Sequence, residues 1–100
     1  ESIIRVKSFQ LAVKSVYLAK DLKKKNREYT LSNQFLRSST SVGANIRESR
    51  NAQSKPDFIH KLSISQKECD ETIYWLELLL ASSYLEKDEF DEINSLVLEI

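Results

Sequence analysis

The sequence predicts an all-α protein, an antiparallel up-and-down four-helix bundle, on three observations. Hydrophobic residues recur at three- and four-residue spacing in four separate segments, the period of one helix face. The 100 residues include one Gly and one Pro, too few for the tight turns of a sandwich, a barrel or a doubly wound sheet. The segments are joined by short connections, which makes successive helices antiparallel neighbours. With 41% of residues hydrophobic and 30% charged, residues 1–100 read as a single globular domain rather than a disordered chain. A three-helix bundle with a loose fourth segment is the structural alternative.

The first helix is expected over residues 3–25. Ser2 is placed to cap it, and Val6, Phe9, Val13, Val16, Tyr17 and Leu22 form its apolar stripe. Lys23, Lys24 and Lys25 suit the negative end of its dipole. The second helix is expected over 31–52, capped by Thr30, with Leu31, Phe35, Val42 and Ile46 as its stripe. Ser38, Ser39, Ser41, Gly43 and Ala44 crowd that stripe. A glycine inside a helix costs about 1 kcal/mol relative to alanine, which a close approach of another helix at Gly43 would offset.

Ser54-Lys55-Pro56-Asp57 is the clearest punctuation in the chain. Ser54 and Asp57 fit a capping box, and Pro56 is tolerated in a first helical turn. A third helix is therefore expected over 55–83 and a fourth over 88–100, the latter with Phe90, Ile93, Leu96, Val97 and Ile100 as its stripe.

The third helix is apolar on more than one side. At 100° per residue, Phe58, Leu62, Cys69, Ile73, Leu76 and Leu80 share the face expected to meet the bundle core. Ile64, Trp75 and Leu78 fall roughly opposite. A helix with one buried stripe does not place Ile and Trp there, so a second subunit is expected to cover them.

Beside the stripe of the second helix runs a polar ladder: Gln34, Arg37, Ser41, Asn45 and Glu48. Antiparallel pairing through the turn at Ser54 brings Arg37 within reach of Glu68 or Glu71, and Glu48 within reach of Lys61. Buried charges need such partners. The network reads first as a device fixing helix register or a subunit contact, and second as a ligand or metal site.

Charge divides the chain. Residues 1–50 carry 11 Lys/Arg and 4 Asp/Glu, and residues 51–100 carry 4 and 11, so the halves are +7 and −7 around a net charge of zero. The halves can neutralise each other within one bundle or between subunits, or the basic half can face nucleic acid. Lys20, Lys23, Lys24, Lys25 and Arg27, joined by Arg47 and Arg50 on the outer side of the second helix, are the candidate nucleic-acid contacts. Without interleaved aromatics they form no base-reading groove.

No enzymatic constellation is legible, and no cofactor is expected. Glu-x-x-His, which di-metal bundles use on two helices, is absent; Asp57-x-x-His60 is the nearest equivalent. Cys69, the lone cysteine, lies on a core stripe and reads as a small hydrophobe. A single glycine builds no phosphate loop. The most apolar stretch, residues 74–81, is interrupted by Glu77 and too short to span a membrane. With no export signal visible and a free cysteine, a cytoplasmic protein without membrane association is expected.

QFLRSSTSVGANIRES (34–49) followed by DFIHKLSISQKECDETIYWLELL (57–79) resembles the 23S rRNA intervening-sequence protein family, small bacterial four-helix bundles often labelled ribosomal. The most specific part is Arg37-Ser38, then Ser41-x-Gly43-Ala44-Asn45-Ile46-x-Glu48, then Phe58, Leu62, Glu68, Glu71-Thr72 and Trp75-Leu76. The resemblance implies a homo-oligomer, commonly a pentamer, without known enzymatic activity. Some members are encoded within insertions in large-subunit ribosomal RNA genes, which implies RNA or the ribosome as a partner. Bundles that accompany diversity-generating retroelements are similar in fold and bind nucleic acid, but they are markedly basic, whereas this chain is neutral.

Overall fold

Helix ends are set by local hydrogen bonding, and several fall where the sequence does not advertise them. The computed structural model describes residues 2–100, which form α1 (Ile3–Asn26), α2 (Thr30–Ser49), α3 (Lys55–Ala81) and α4 (Lys87–Leu98). Ser2 stands at the N-cap of α1 in an extended conformation, yet its hydroxyl makes no capping bond. The chain leaves α1 through Arg27, a left-handed residue at φ 53°, and the Glu28 amide returns to the Leu22 carbonyl at 3.2 Å. Thr30 does not cap α2; it is its first residue. Glu28 serves instead, its carboxylate accepting from the amides of Leu31 (3.0 Å) and Ser32 (2.8 Å) and from the Ser32 hydroxyl. A longer acidic side chain two residues upstream reaches the same orphan amides and adds a charge that the helix dipole favours.

The second helix ends at Ser49 rather than residue 52, because the amides of Arg50, Asn51 and Ala52 bond three residues back and tighten the turn. At the start of α3 the Ser54 hydroxyl accepts from the Asp57 amide at 3.2 Å. The reciprocal bond of a capping box is displaced by one residue: Asp57 accepts from the amide of Gln53, not of Ser54. α3 stops at Ala81, two residues short of expectation, because Ser83 turns left-handed at φ 69° and the Tyr84 and Leu85 amides fold back onto the Leu79 carbonyl. A capping box of Glu86 and Glu89 starts α4.

The four helices form an antiparallel bundle in which α1 packs on α2, α2 on α3, α3 on α4 and α4 on α1, leaving α1 and α3 diagonal and without contact. The core joins Leu11, Leu18 and Leu22 with Phe35, Val42 and Ile46, then Cys69, Leu76 and Leu79, and finally Leu85, Ile93, Leu96 and Val97. Lys7–Glu99 (2.8 Å) and Lys14–Glu92 (2.6 Å) tie α1 to α4. Among the described residues no helix is long and apolar enough to cross a membrane.

Two expected core faces are wrong in an instructive way. The α1 stripe points out: Val6, Phe9, Val13, Val16 and Tyr17 are 40–68% exposed, and only Leu22 is buried. The buried face is Ser8, Leu11, Ser15, Leu18, Ala19 and Leu22, on the opposite side of the helix. Hydropathy misjudges it because Ser8 and Ser15 donate their hydroxyls to the carbonyls of Arg5 (3.0 Å) and Leu11 (2.7 Å), so a serine there is compact and satisfied. On α3, Phe58 and Leu62 are exposed although Cys69 and Leu76 on the same face are buried. The 12 residues of α4 span about 18 Å, against about 40 Å for the 27 residues of α3, so α4 ends before it reaches them.

At Gly43 the close approach is real. An added β carbon would lie 3.4 Å from both the carbonyl and the hydroxyl oxygen of Ser8, ordinary van der Waals contact, so a methyl fits. Gly43→Ala is expected to raise stability by up to about 1 kcal/mol through helix propensity, and Gly43→Leu to lower it by about 1–3 kcal/mol by forcing α1 and α2 apart. Urea denaturation followed by circular dichroism checks both signs.

Candidate functional site

The polar residues of α2 and α3 meet along one seam. Two buried hydroxyls set its register. Thr72 Oγ1 lies 3.0 Å from Ser38 Oγ and 2.8 Å from the Glu68 carbonyl, and Ser65 donates to the Val42 carbonyl at 3.0 Å. Outside them, the Arg37 guanidinium grips Glu68 with two bonds of 3.2 Å and also donates to Glu71. Glu71 in turn accepts from the Trp75 indole at 3.1 Å. One helical turn beyond the small residues, Lys61 pairs with Glu48 at 2.8 Å. Asn45 donates to the carbonyl and hydroxyl of Ser41 within its own helix, and Gln34 stays exposed at the outer end of the ladder.

This network differs in one respect from the buried one expected. Half of the Arg37 side chain is in solvent, so its pairs are of the surface kind, each worth about 0–1 kcal/mol. The hydrogen bonds to Glu68 and Glu71 raise the Arg37 pKa, and the bonds from Trp75 and Arg37 hold the Glu71 carboxyl below its ordinary value. Burial alone would raise Glu28, but its bonds from Leu31, Ser32 and Thr30 lower it. A metal at Glu68 and Glu71 would have to displace the guanidinium between them, and among the described residues no three His, Cys, Asp or Glu side chains converge as ligands would. Burial, reinforced by Asp70 and Glu68, pushes the Cys69 thiol up to about 11, so it is a neutral thiol at neutral pH rather than a nucleophile. His60 is exposed at the start of α3.

The candidate nucleic-acid residues divide between two places. Lys20, Lys23, Lys24, Lys25 and Arg27 gather where α1 ends, and Lys25 is held by Asp21 at 3.3 Å. Arg47 and Arg50 do not extend that zone. The antiparallel α2 carries Arg47 about 25 Å along the bundle axis from Thr30, to the opposite end, where it lies near Arg5.

The apolar surface also lies elsewhere than the sequence suggests. Ile64, Trp75 and Leu78 are half-buried, on the flank of α3 that also carries Glu68 and Glu71. Trp75 packs against the core, with its ring edge-on to Tyr74 at 5.1 Å between centroids. The exposed apolar residues are instead the outward stripe of α1, with Phe58, Ile59 and Leu62 at the start of α3. Beside that stripe, a groove of about 650 Å³ runs along the α1–α2 contact. Ser8, Ala12, Gly43 and Ala44 leave it open because their side chains are short, and Val6 and Phe9 line its α1 side. Spacing on α1 does contain the signal for this arrangement: Leu11, Leu18 and Leu22, interleaved with Ser8, Ser15 and Ala19, form a second stripe opposite the first.

Comparison with known proteins now bears on this geometry. The family described as "23S rRNA-intervening sequence protein" matches residues 1–100. The chain belongs to that family. A solved structure from Bacteroides thetaiotaomicron, described as a protein with unknown function from the S23 ribosomal protein family, superposes with a TM-score of 0.96 at 46% identity. That match covers 97% of this chain and 90% of the other. No curated protein matches the chain. Within this family member, the two sequence blocks that carry the resemblance are most of α2 and most of α3, the pair joined by the Arg37 network and the hydroxyl seam.

Acid is expected to loosen that seam at Glu71 and the start of α2 at Glu28. Glu28 and Glu71 lie below the ordinary 4.5 in the folded chain, so their contribution is complete above that pH and is lost as pH falls through the depressed values. Thermal melts from neutral pH down to about pH 3 should show this loss, and Glu71→Gln should flatten it. Because the indole bonds to Glu71, fluorescence of the single tryptophan should titrate over the same interval in the wild type and not in Glu71→Gln.

Proposed function

We propose that this protein is a non-enzymatic scaffold that assembles with copies of itself in the cytoplasm and holds partners through the resulting surface. One observation carries the reading: α1 is apolar on both sides. Its inner face fills the core, and its outer face sets Val6, Phe9, Val13, Val16 and Tyr17 in one stripe in solvent. A contiguous apolar stripe on a soluble chain marks an interaction surface, and homo-oligomers with closed symmetry are the commonest way of covering one. The Arg37 network supports the same role. It spends its charged groups on each other and on the α2–α3 register, leaving none aimed at a substrate. Light scattering on the purified chain is expected to give a mass several times 11.6 kDa. The mass of a single chain at micromolar concentration would overturn the reading.

Contact with RNA is a second reading, favoured by Lys20, Lys23, Lys24 and Arg27. These four cations form no ion pair among the described residues, and the resemblance to a family described by its link to 23S rRNA points the same way. Repetition around an oligomer would multiply their field. RNA affinity should then fall steeply with salt, and each lysine-to-glutamine change should reduce the slope by about one. A salt-independent affinity, or no shift of RNA mobility at low salt, would remove this reading.

A further inference from the structure

Gly43 leaves out a methyl group that the α1–α2 packing has room for. A β carbon there would meet Ser8 only at ordinary contact distance, so the helix contact does not require glycine, which costs the helix about 1 kcal/mol relative to alanine. Gly43 also lines the groove of about 650 Å³, together with Ala12 and Ala44, and there the missing methyl keeps space open. Chemistry along that space is ordered. The Ser8 hydroxyl donates to the Arg5 carbonyl at 3.0 Å and the Thr40 hydroxyl to the Leu36 carbonyl at 2.7 Å, so both hydroxyls are satisfied within their own helices. Val6 and Phe9 add exposed apolar surface. Charge stands at one end. The two helices are antiparallel, and the contact of Ser8 with Gly43 sets Arg5 level with Arg47, and Ala12 level with Thr40. Arg47 is exposed and has no ion-pair partner among the described residues, while the Glu48 carboxylate next to it in the chain is held by Lys61 at 2.8 Å.

We propose that this groove binds a small amphiphile with one carboxylate head and a straight apolar tail, the class of a medium-chain fatty acid. The site goes beyond the self-assembly proposed above and does not depend on it. Small-ligand pockets are commonly about 300–1,000 Å³ and mostly apolar, with a few placed polar groups, and the groove has that size and that division. The Arg47 guanidinium is a planar fork matched to a carboxylate, and Arg5 at the same end adds to the positive field. A cationic head would be repelled there, and an uncharged one would leave the Arg47 fork unused. The length also fits. From Arg5 to Ala12, as from Arg47 to Thr40, the groove follows its helix for about 10 Å, the span of about eight carbons at about 1.3 Å each.

Titration calorimetry with octanoate tests this, with 1-octanol and acetate as the probes that lack the head and the tail. The wild type is expected to bind octanoate about tenfold or more tightly than either, since a charge-assisted pair and the apolar contact both contribute. Arg47→Gln should weaken octanoate by about tenfold and leave 1-octanol within about twofold, because it removes the charged partner alone. Ala44→Phe, at an exposed position, should fill the groove and remove both, while circular dichroism shows the helices intact. Gly43 is the single glycine, so its amide resonance locates the ligand: octanoate should shift it in the wild type and not in Ala44→Phe. A wild type that takes no octanoate, or takes 1-octanol equally well, would overturn the proposal, as would an octanoate affinity unchanged in either variant. Light scattering on the same samples reports assembly separately. An assembled wild type that takes no octanoate overturns the groove site alone, and a monomer that binds it overturns self-assembly alone.

Discussion

The register between α2 and α3 is the constraint from which the rest of the structure follows. It is fixed by small hydroxyl side chains rather than by large apolar ones. Ser38 against Thr72 and Ser65 against the Val42 carbonyl let two backbones come close, and each buried hydroxyl finds an acceptor within the seam. An unsatisfied hydroxyl at such a depth would cost about 1–3 kcal/mol, so the pairing tolerates little slip. The Arg37 and Lys61 ion pairs lie outside the seam, half in water. They add modest energy, and they discriminate against a shifted register because a one-turn slide would leave Glu68 and Glu48 without their partners.

The same use of small residues recurs between α1 and α2, where Ser8 meets Gly43. On α1, Ser8, Ser15 and Ala19 share the inner face with Leu11, Leu18 and Leu22, while Val6, Phe9, Val13, Val16 and Tyr17 stand outside. That inversion gives α1 its two-sided character and leaves the groove beside it open. Five large apolar residues on one helix are thus left in water by the fold.

The length of α4 decides what α3 exposes. Its 12 residues cover the second half of α3 and stop. Phe58 and Leu62 share a helical face with Cys69 and Leu76 yet stand in solvent, since a face is a core only over the stretch where another helix lies on it.

Sequence by itself determined the helices, their antiparallel order and the partners along the seam, because period, punctuation and pairing through a short turn are local properties. Family membership was legible from residues 34–49 and 57–79, the two blocks that make the seam. Several helix ends were not legible: Glu28 rather than Thr30 caps α2, and Ser83 stops α3, since a cap depends on which carboxylate or carbonyl the folded turn brings within reach. Only the tertiary structure decided which side of α1 is inside. Both of its faces are periodic, and hydropathy ranks Val6, Phe9 and Val13 above Ser8, Ser15 and Ala19. What a close helix contact selects is small volume with satisfied hydroxyls, and that preference exists only once the neighbouring helix is in place.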